Sequence, residues 1–279
     1  MHLKGCLASL PGADRIVVLD SGSTDRTEEI ARRDPRVTWK RRTFTGFADQ
    51  RNHGLETCFD PGELVLHLDA DERMTPELEE EILAIDPTTS PAWNLASLTF
   101  LRGRPIPRAS GYPVFQTRLS RAHDFRFIEV GHGQKAPPEL GSLPRLRHPY
   151  EHHPFEKGLE EWRTRHKRYA QLEAEDIAAG AHYARWSGAR HDPIARRQWM
   201  KRASGRLPGR PLMVFVYLML LRGGVLDGPA GWEYCRRRAE YEAMVSRALR
   251  SLRRRNRPAG APSAASPDSP PQPSRDRHP

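Results

Sequence analysis

Two short, mostly apolar runs stand out early in the chain: Ile16-Val17-Val18-Leu19 and Leu64-Val65-Leu66-His67-Leu68. Each stops at an acid, Asp20 and Asp69. Runs this short and without alternation read as strands buried on both faces. The segments around them read as helices and further strands. Leu3–Leu10 ends a helix that Pro11-Gly12 stops, and Thr24 to Arg33 is a helix with Asp25 and Glu28 in capping-box spacing. Val37–Trp39 is a short strand and Phe47–Thr57 a helix. Thr75-Pro76 opens another helix, with Pro at its first position and Glu77, Glu79 and Glu80 in its early turns. Strands are expected at Trp93–Leu101, Val114–Ser120 and Phe125–Val130. Alternating strands and helices predict an α/β fold with a mostly parallel, doubly wound sheet.

Beyond residue 150 the period changes. Leu159, Trp162, His166, Tyr169 and Leu172 recur at three- and four-residue spacing, one face of a helix spanning Phe155–Ala179. Pro193–Ala203, Pro211–Leu221 and Trp232–Leu252 continue as helices. From Arg257 on, Pro, Ser, Ala and charge replace any apolar period, so a disordered tail is expected. The chain therefore divides into an α/β part at 1–150, a helical part at 151–255 and a tail at 256–279.

Composition narrows the function classes. The chain of 279 residues is 37% apolar, with mean hydropathy −0.72. It carries 45 Lys and Arg against 35 Asp and Glu, a net charge of +10. The basic excess lies mainly in Arg196–Arg210 and Arg236–Arg255, and fits phosphorylated substrates or anionic lipid. No zinc-finger spacing or RNA-recognition signature accompanies it, so no nucleic-acid partner is expected. Cys6, Cys58 and Cys235 are widely spaced and read as reduced thiols of a cytosolic protein. No signal peptide is expected. Leu212–Leu221 is apolar but too short to span a bilayer, which needs about 20 residues. Flanked by arginines, it fits an interfacial element or a core helix equally.

The chemistry sits where the strands end. Ligands of open α/β sheets bind beyond the carboxyl ends of strands. An Asp-x-Asp pair there, Asp69-Ala70-Asp71, suits a hard divalent cation such as Mg²⁺ or Mn²⁺ that shares its coordination with substrate phosphates.

Asp20-Ser-Gly-Ser-Thr-Asp25 and Leu68-Asp-Ala-Asp-Glu72 resemble the family 2 glycosyltransferases of GT-A fold. Gly46-Phe-Ala-Asp-Gln-Arg-Asn52 resembles the family's helix after its third strand. Gly103-Arg-Pro-Ile106, Tyr112, Gln116-Thr-Arg-Leu119, Lys157-Gly-Leu-x-x-Trp162 with His166 and Tyr169, and Leu226-Asp-Gly-Pro-Ala-Gly231 are similar to the branch that builds lipopolysaccharide inner core. The resemblance implies a GT-A catalytic part at 1–150 and an acceptor- and membrane-facing helical part. It implies inverting transfer of a hexose from a nucleotide-diphosphate sugar, a UDP-sugar by expectation, to a lipid-linked acceptor. The protein would lie in the cytoplasm, peripherally on the inner face of an anionic membrane.

The resemblance also implies roles. Asp20 would contact the uracil or ribose, although the same residues make a turn and helix cap. Asp69 would touch the ribose or the metal, and Asp71 would bind the metal. Arg51 would lie near base and diphosphate, and Arg118, with Arg102 or Arg104, would cover the diphosphate. Glu72 reads as a helix N-terminal charge. Many relatives carry His-Glu after the Phe125–Val130 strand; here Glu129 and His132 are the candidate bases. His152 would line the acceptor side by resemblance, while His148, His152 and His153 otherwise read as a solvated turn. The family begins with a strand that this sequence lacks before its first helix, so a first strand missing from the sheet and a start upstream of Met1 are expected. Two rivals stand: a nucleotidyltransferase, and a non-catalytic binding protein.

Overall fold

The computed structural model describes residues 2–130, 133–156, 158–179 and 209–255. The expected helix at Pro193–Ala203, the tail and His132 lie outside the described residues.

The first half runs α1 (His2–Ala8), β1 (Ile16–Asp20), α2 (Thr27–Arg32), β2 (Val37–Arg41), α3 (Phe47–Thr57), β3 (Leu64–Leu66), β4 (Glu72–Arg73) and α4 (Pro76–Leu83). Then follow β5 (Ala92–Leu101), β6 (Arg104–Pro105), α5 (Pro107–Ser110), β7 (Val114–Arg121), β8 (Ile128–Val130), β9 (Gly133–Lys135) and β10 (Tyr150–His152). Local chemistry explains the starts that matter. Thr75 caps α4 by accepting from Leu78 N through Oγ1 at 3.2 Å, with Pro76 at the first helical position. The capping box expected for α2 does not form. Asp25 instead accepts from Thr27 N at 3.1 Å, and Glu28 pairs with Arg32 and Arg41.

The chain is α/β, as expected, but its sheet is mixed rather than mostly parallel. One path runs β3-β7-β5-β10-β4, with β6 beside β5. Here β3–β7, β7–β5 and β10–β4 are antiparallel, and β5–β10 is parallel. β7 follows β5 by way of β6 and α5 and lies antiparallel between β5 and β3, so the sheet mixes directions. Among the described residues, β1 pairs in parallel only with β2, and β3 pairs only with β7.

β1 and β3 nonetheless lie side by side. Arg15 before β1 bonds Glu63 before β3 at 2.7 Å. Beyond the other ends, Gln50 of α3 reaches the Leu19 carbonyl at 3.3 Å while its neighbour Arg51 bonds Asp69 at 2.7 Å. Between the two strands runs a cavity of about 570 Å³, lined by Leu3, Ile16, Val18, Leu64 and Leu66 among others. It accounts for the incomplete burial of strands whose sequence reads as fully buried.

Cores flank this gap. Leu3, Leu7 and Ala31 pack against Ile16, Val18, Val37 and Trp39 on one side. Leu78, Trp93, Leu95, Leu119, Leu146 and Tyr150 fill the other. Phe125 and Phe127, expected within a strand, instead anchor a third core with Leu55 and Val65.

The second half is helical: α6 (Leu159–Ala179), α7 (Arg210–Val216), a π-helical turn at Tyr217–Leu221, a 3₁₀ turn at Gly224–Asp227 and α8 (Gly228–Arg255). Of the face read from sequence, Trp162 is buried with Leu159 and Tyr169 packed beside it and His166 against Tyr241, but Leu172 lies outside the cluster; Ala170, Ala174 and Ile177 complete the α6 side against Tyr241, Val245 and Leu249 of α8. No single helix among the described residues is long and apolar enough to cross a membrane.

Candidate functional site

Three acids converge where the chain leaves β3. His67 N still donates to Arg118 O at 2.7 Å, so β7 guides the backbone as far as the first of them. Asp69 then receives two guanidinium groups. Arg51 of α3 bonds its Oδ1 at 2.7 Å, and Arg118 of β7 bonds its Oδ2 at 2.9 Å. Burial alone would raise this carboxyl; the charges of Arg118 and Arg51 hold it far below the usual carboxylate range. Even so, Asp69 remains 47% exposed. It lines the open cavity between β1 and β3 together with Gln50 and Arg51.

Arg51 is only 10% exposed. With the Gln134 amide turned so that its oxygen faces Arg51, that oxygen accepts from Nε at 2.9 Å and Nη1 at 2.8 Å. The Phe127 ring lies 5.8 Å away. Burial, and then the nearby Arg118, lower its pKa.

Glu72 corrects the sequence reading. It is not a helix N-terminal charge, because α4 begins only at Pro76. It is a buried residue of β4 that accepts from Asp69 N at 2.8 Å and from Arg118 Nη2. Burial, followed by the charge of Asp69, pushes its carboxyl up to about 7. Glu72 thus ties the loop carrying Asp69 and Asp71 to Arg118. Only its place beside the Asp-x-Asp pair marked it in the sequence.

Asp71 faces His152 of β10, Oδ2 to Nε2 at 3.7 Å. Burial would raise Asp71 and lower His152. Their mutual electrostatic attraction wins, holding Asp71 below and His152 above their ordinary values. His153 N donates to Asp71 O at 2.8 Å, which fixes β10 against the acidic loop. The solvated-turn reading of the three histidines therefore suits His148 alone. His153 is buried between Glu151, at 2.9 Å, and Glu156, at 3.2 Å.

The other candidates lie elsewhere. Asp20 is buried with its carboxylate turned back to Gly22 N and Ser23 N, both at 3.0 Å. That is the turn chemistry its sequence suggested as the alternative. Arg118 is 3% exposed and serves Asp69 and Glu72, with its Nη1 buried and lacking a hydrogen-bond partner. Arg102 pairs with Glu233 at 3.0 Å, and Arg104 is exposed on β6. Glu129 accepts from Ala48 N at 3.0 Å and so caps α3. Gly46 makes this approach possible, since an added Cβ would lie 2.9 Å from Glu129 Oε2. His132 lies outside the described residues.

Among the described residues, no three or more His, Cys, Asp or Glu side chains gather into a set able to hold a metal ion by themselves. Asp69 and Asp71 still fit Mg²⁺ or Mn²⁺ in one way. Each carboxylate oxygen keeps a free lone pair after one hydrogen bond, and Mg²⁺ uses one or two carboxylates when substrate phosphates complete its shell.

Asp69 thus opens on a cavity beside an α/β sheet and is held ionised by Arg51 and Arg118, with Asp71 beside it on His152. Residues 3–88 match the family model Glycosyl transferase family 2. Over 140 residues the chain is 33% identical to the Lipopolysaccharide core biosynthesis glycosyltransferase LpsC of Rhizobium meliloti (strain 1021), covering 48% of each protein. The chain thus matches about half the length of this relative. Both findings agree with the resemblance read from the sequence: residues 3–88 are similar to family 2 glycosyltransferases, and the mixed α/β sheet is consistent with the GT-A fold.

Proposed function

We propose that the chain transfers a hexose from a nucleotide-diphosphate sugar, most simply a UDP-sugar, to a lipid-linked glycan of the lipopolysaccharide-core type, with inversion. The observation that carries this reading is the Asp69 carboxylate, clamped by Arg51 and Arg118 yet half open to the cavity between β1 and β3. Likeness to the family and to a lipopolysaccharide core enzyme supports it.

In this reading the cavity takes the nucleotide, and the diphosphate lies over Asp69 and Asp71. A bound Mg²⁺ or Mn²⁺ would neutralise charge on the departing diphosphate. Arg51 and Arg118 keep Asp69 ionised. His152 orients Asp71 and keeps it charged. Glu72, held on Arg118, fixes the loop so that both acids present the same geometry to every donor. The acceptor hydroxyl would lose its proton to His132, the other candidate base of the sequence, since Glu129 is engaged by Ala48 N. The acceptor approaches from the β10 side, where His152 stands, and the enzyme works at the cytoplasmic face of the plasma membrane.

Calorimetric titration with a panel of nucleotide sugars, with and without Mn²⁺, tests the proposal. One UDP-sugar should bind measurably only with the cation. It should then release UDP when a lipopolysaccharide core acceptor is added. Binding of nucleoside triphosphates with release of pyrophosphate would move the protein to nucleotidyl transfer.

A further inference from the structure

Among the described residues, nine of the fourteen exposed large apolar side chains fall between Leu212 and Trp232. At their centre Leu220, Leu221 and Leu226 are 67%, 79% and 68% exposed. The backbone explains why they project. α7 and the π-helical turn run to Leu221, and the path of α8 then departs at 75°. The bend is rigid. Gly224 and Gly231 approach so closely that a Cβ on Gly231 would lie 2.2 Å from the Gly224 carbonyl. Asp227 accepts from Ala109 N at 2.7 Å and pins the turn to α5. The result is a fixed convex corner with an apolar tip.

Its rim is cationic. The Arg222 guanidinium lies over Gly111 and the Arg108 side chain against Gly223, and Arg236 stacks on Trp232 at 5.3 Å. The acids nearby are already engaged: Asp227 faces inward, and Glu233 holds Arg102 and Arg237 at 3.0 Å each. A second copy would bring like charge against like charge. An apolar tip inside a ring of arginines, with one Trp at the boundary, matches an anionic lipid surface.

We infer that the corner formed by residues 210–236 is a wedge that inserts into one leaflet of an anionic membrane. The length rule of a spanning helix does not apply, because only the tip enters. A pocket of about 440 Å³, lined by Phe100, His153, Phe155, Glu233 and Arg237 among others, begins one residue beyond Trp232. Insertion brings this pocket to headgroup level. That last point rests on the glycosyl-transfer reading, since it gives a lipid-linked acceptor a short route to His153 and the acids behind it. The wedge itself does not depend on that reading.

The test is co-sedimentation of the full chain with phosphatidylcholine vesicles, with and without phosphatidylglycerol. Binding to the anionic vesicles alone, weakened by high salt, is expected. The triple variant Leu220→Asp, Leu221→Asp, Leu226→Asp should lower partition by about a hundredfold or more, given the apolar area removed. Its thermal unfolding should match the parent, because all three side chains are exposed. The variant Arg108→Gln, Arg222→Gln, Arg236→Gln should lose about fivefold per arginine on anionic vesicles. It keeps the test decisive if the first variant does not fold. Unchanged partition in both variants overturns the proposal. So does a parent dimer that the triple Asp variant converts to monomer without any parent binding to vesicles, which would give the corner to a second copy. Neither result bears on donor binding, so the wedge and the reaction fail separately.

Discussion

Arg118 and Arg210 are buried alike, at 3% exposure each, and each meets two carboxylates. Arg118 bonds Asp69 and Glu72 at the end of the sheet. Arg210 bonds Glu242 at 2.6 Å and approaches Glu173 at 3.8 Å between helices. The difference lies in the acids. Glu242 and Glu173 are 5% and 13% exposed, so the helical network is closed on itself. Asp69 is 47% exposed and opens on a cavity. A buried arginine with two acids is therefore not in itself a site. It becomes one when one acid is presented outward while held charged. Buried ion pairs contribute little net stability against apolar packing, but breaking one leaves a stranded charge. The same chemistry can thus fix a helix crossing in one place and prepare an anion-handling surface in another.

The sharpest way to break the comparison is at Asp71. Asp71→Asn should lower turnover by on the order of 10²–10³-fold, the usual cost of removing a preorganised charged contact. Unfolding by urea should be little changed. Near-normal turnover in Mn²⁺ would show that the outward acids are not the site.

Next come the two arginines. Arg210→Met should destabilise by about 3 kcal/mol in urea unfolding, because buried Glu242 loses its buried partner and keeps only the more exposed Arg238, at 3.2 Å. Activity per folded molecule should stay unchanged. Adding Glu242→Leu should restore most of the lost stability. The matching pair at the sheet, Arg118→Met with Glu72→Leu, should recover stability in the same way but not activity, since Asp69 loses its clamp. Equal activity in the two double variants would erase the distinction.

A smaller effect is expected at Glu129. Glu129→Gln keeps an oxygen for Ala48 N, so a residue that only caps α3 should leave turnover within about threefold. A loss of 10²-fold or more, the scale of general-base removal, would return Glu129 to the role of base.

The smallest effect concerns the helical region. His166 stacks on Trp162 at 4.1 Å between ring centroids, and burial lowers its pKa below 6.5. The unfolded chain then binds the extra proton more readily. This contribution is complete above pH 6.5 and is lost as pH falls through the folded value. His166→Phe should flatten the urea-stability profile below pH 6.5 and leave it unchanged above. An unchanged slope would show that His166 does not drive it.

The sequence showed the two regions unequally. β1, α3 and the start of α4 were legible because an apolar run, a Gly entry and a Thr-Pro cap are local signals. The acid pair was legible for the same reason. The sheet's mixed direction was not, because nothing within a strand records which neighbour it will meet. Glu72, read as a helix N-terminal charge, and His153, read as part of a solvated turn, were misread on one ground: partners remote in sequence, Arg118 and Phe100, pack on them. Leu212–Leu221 fitted an interfacial element and a core helix equally, because a continuously apolar run does not record the bend that follows it at Gly223–Gly224.

On this account Asp69, presented outward, and Asp71, held charged beside His152, together take a diphosphate. Calorimetric titration of UDP into the wild-type chain and Asp71→Asn, each with and without Mn²⁺, tests it most directly. The account predicts Mn²⁺-dependent binding to the wild type, weakened at least about tenfold in Asp71→Asn. Equal UDP affinity in all four titrations would contradict it.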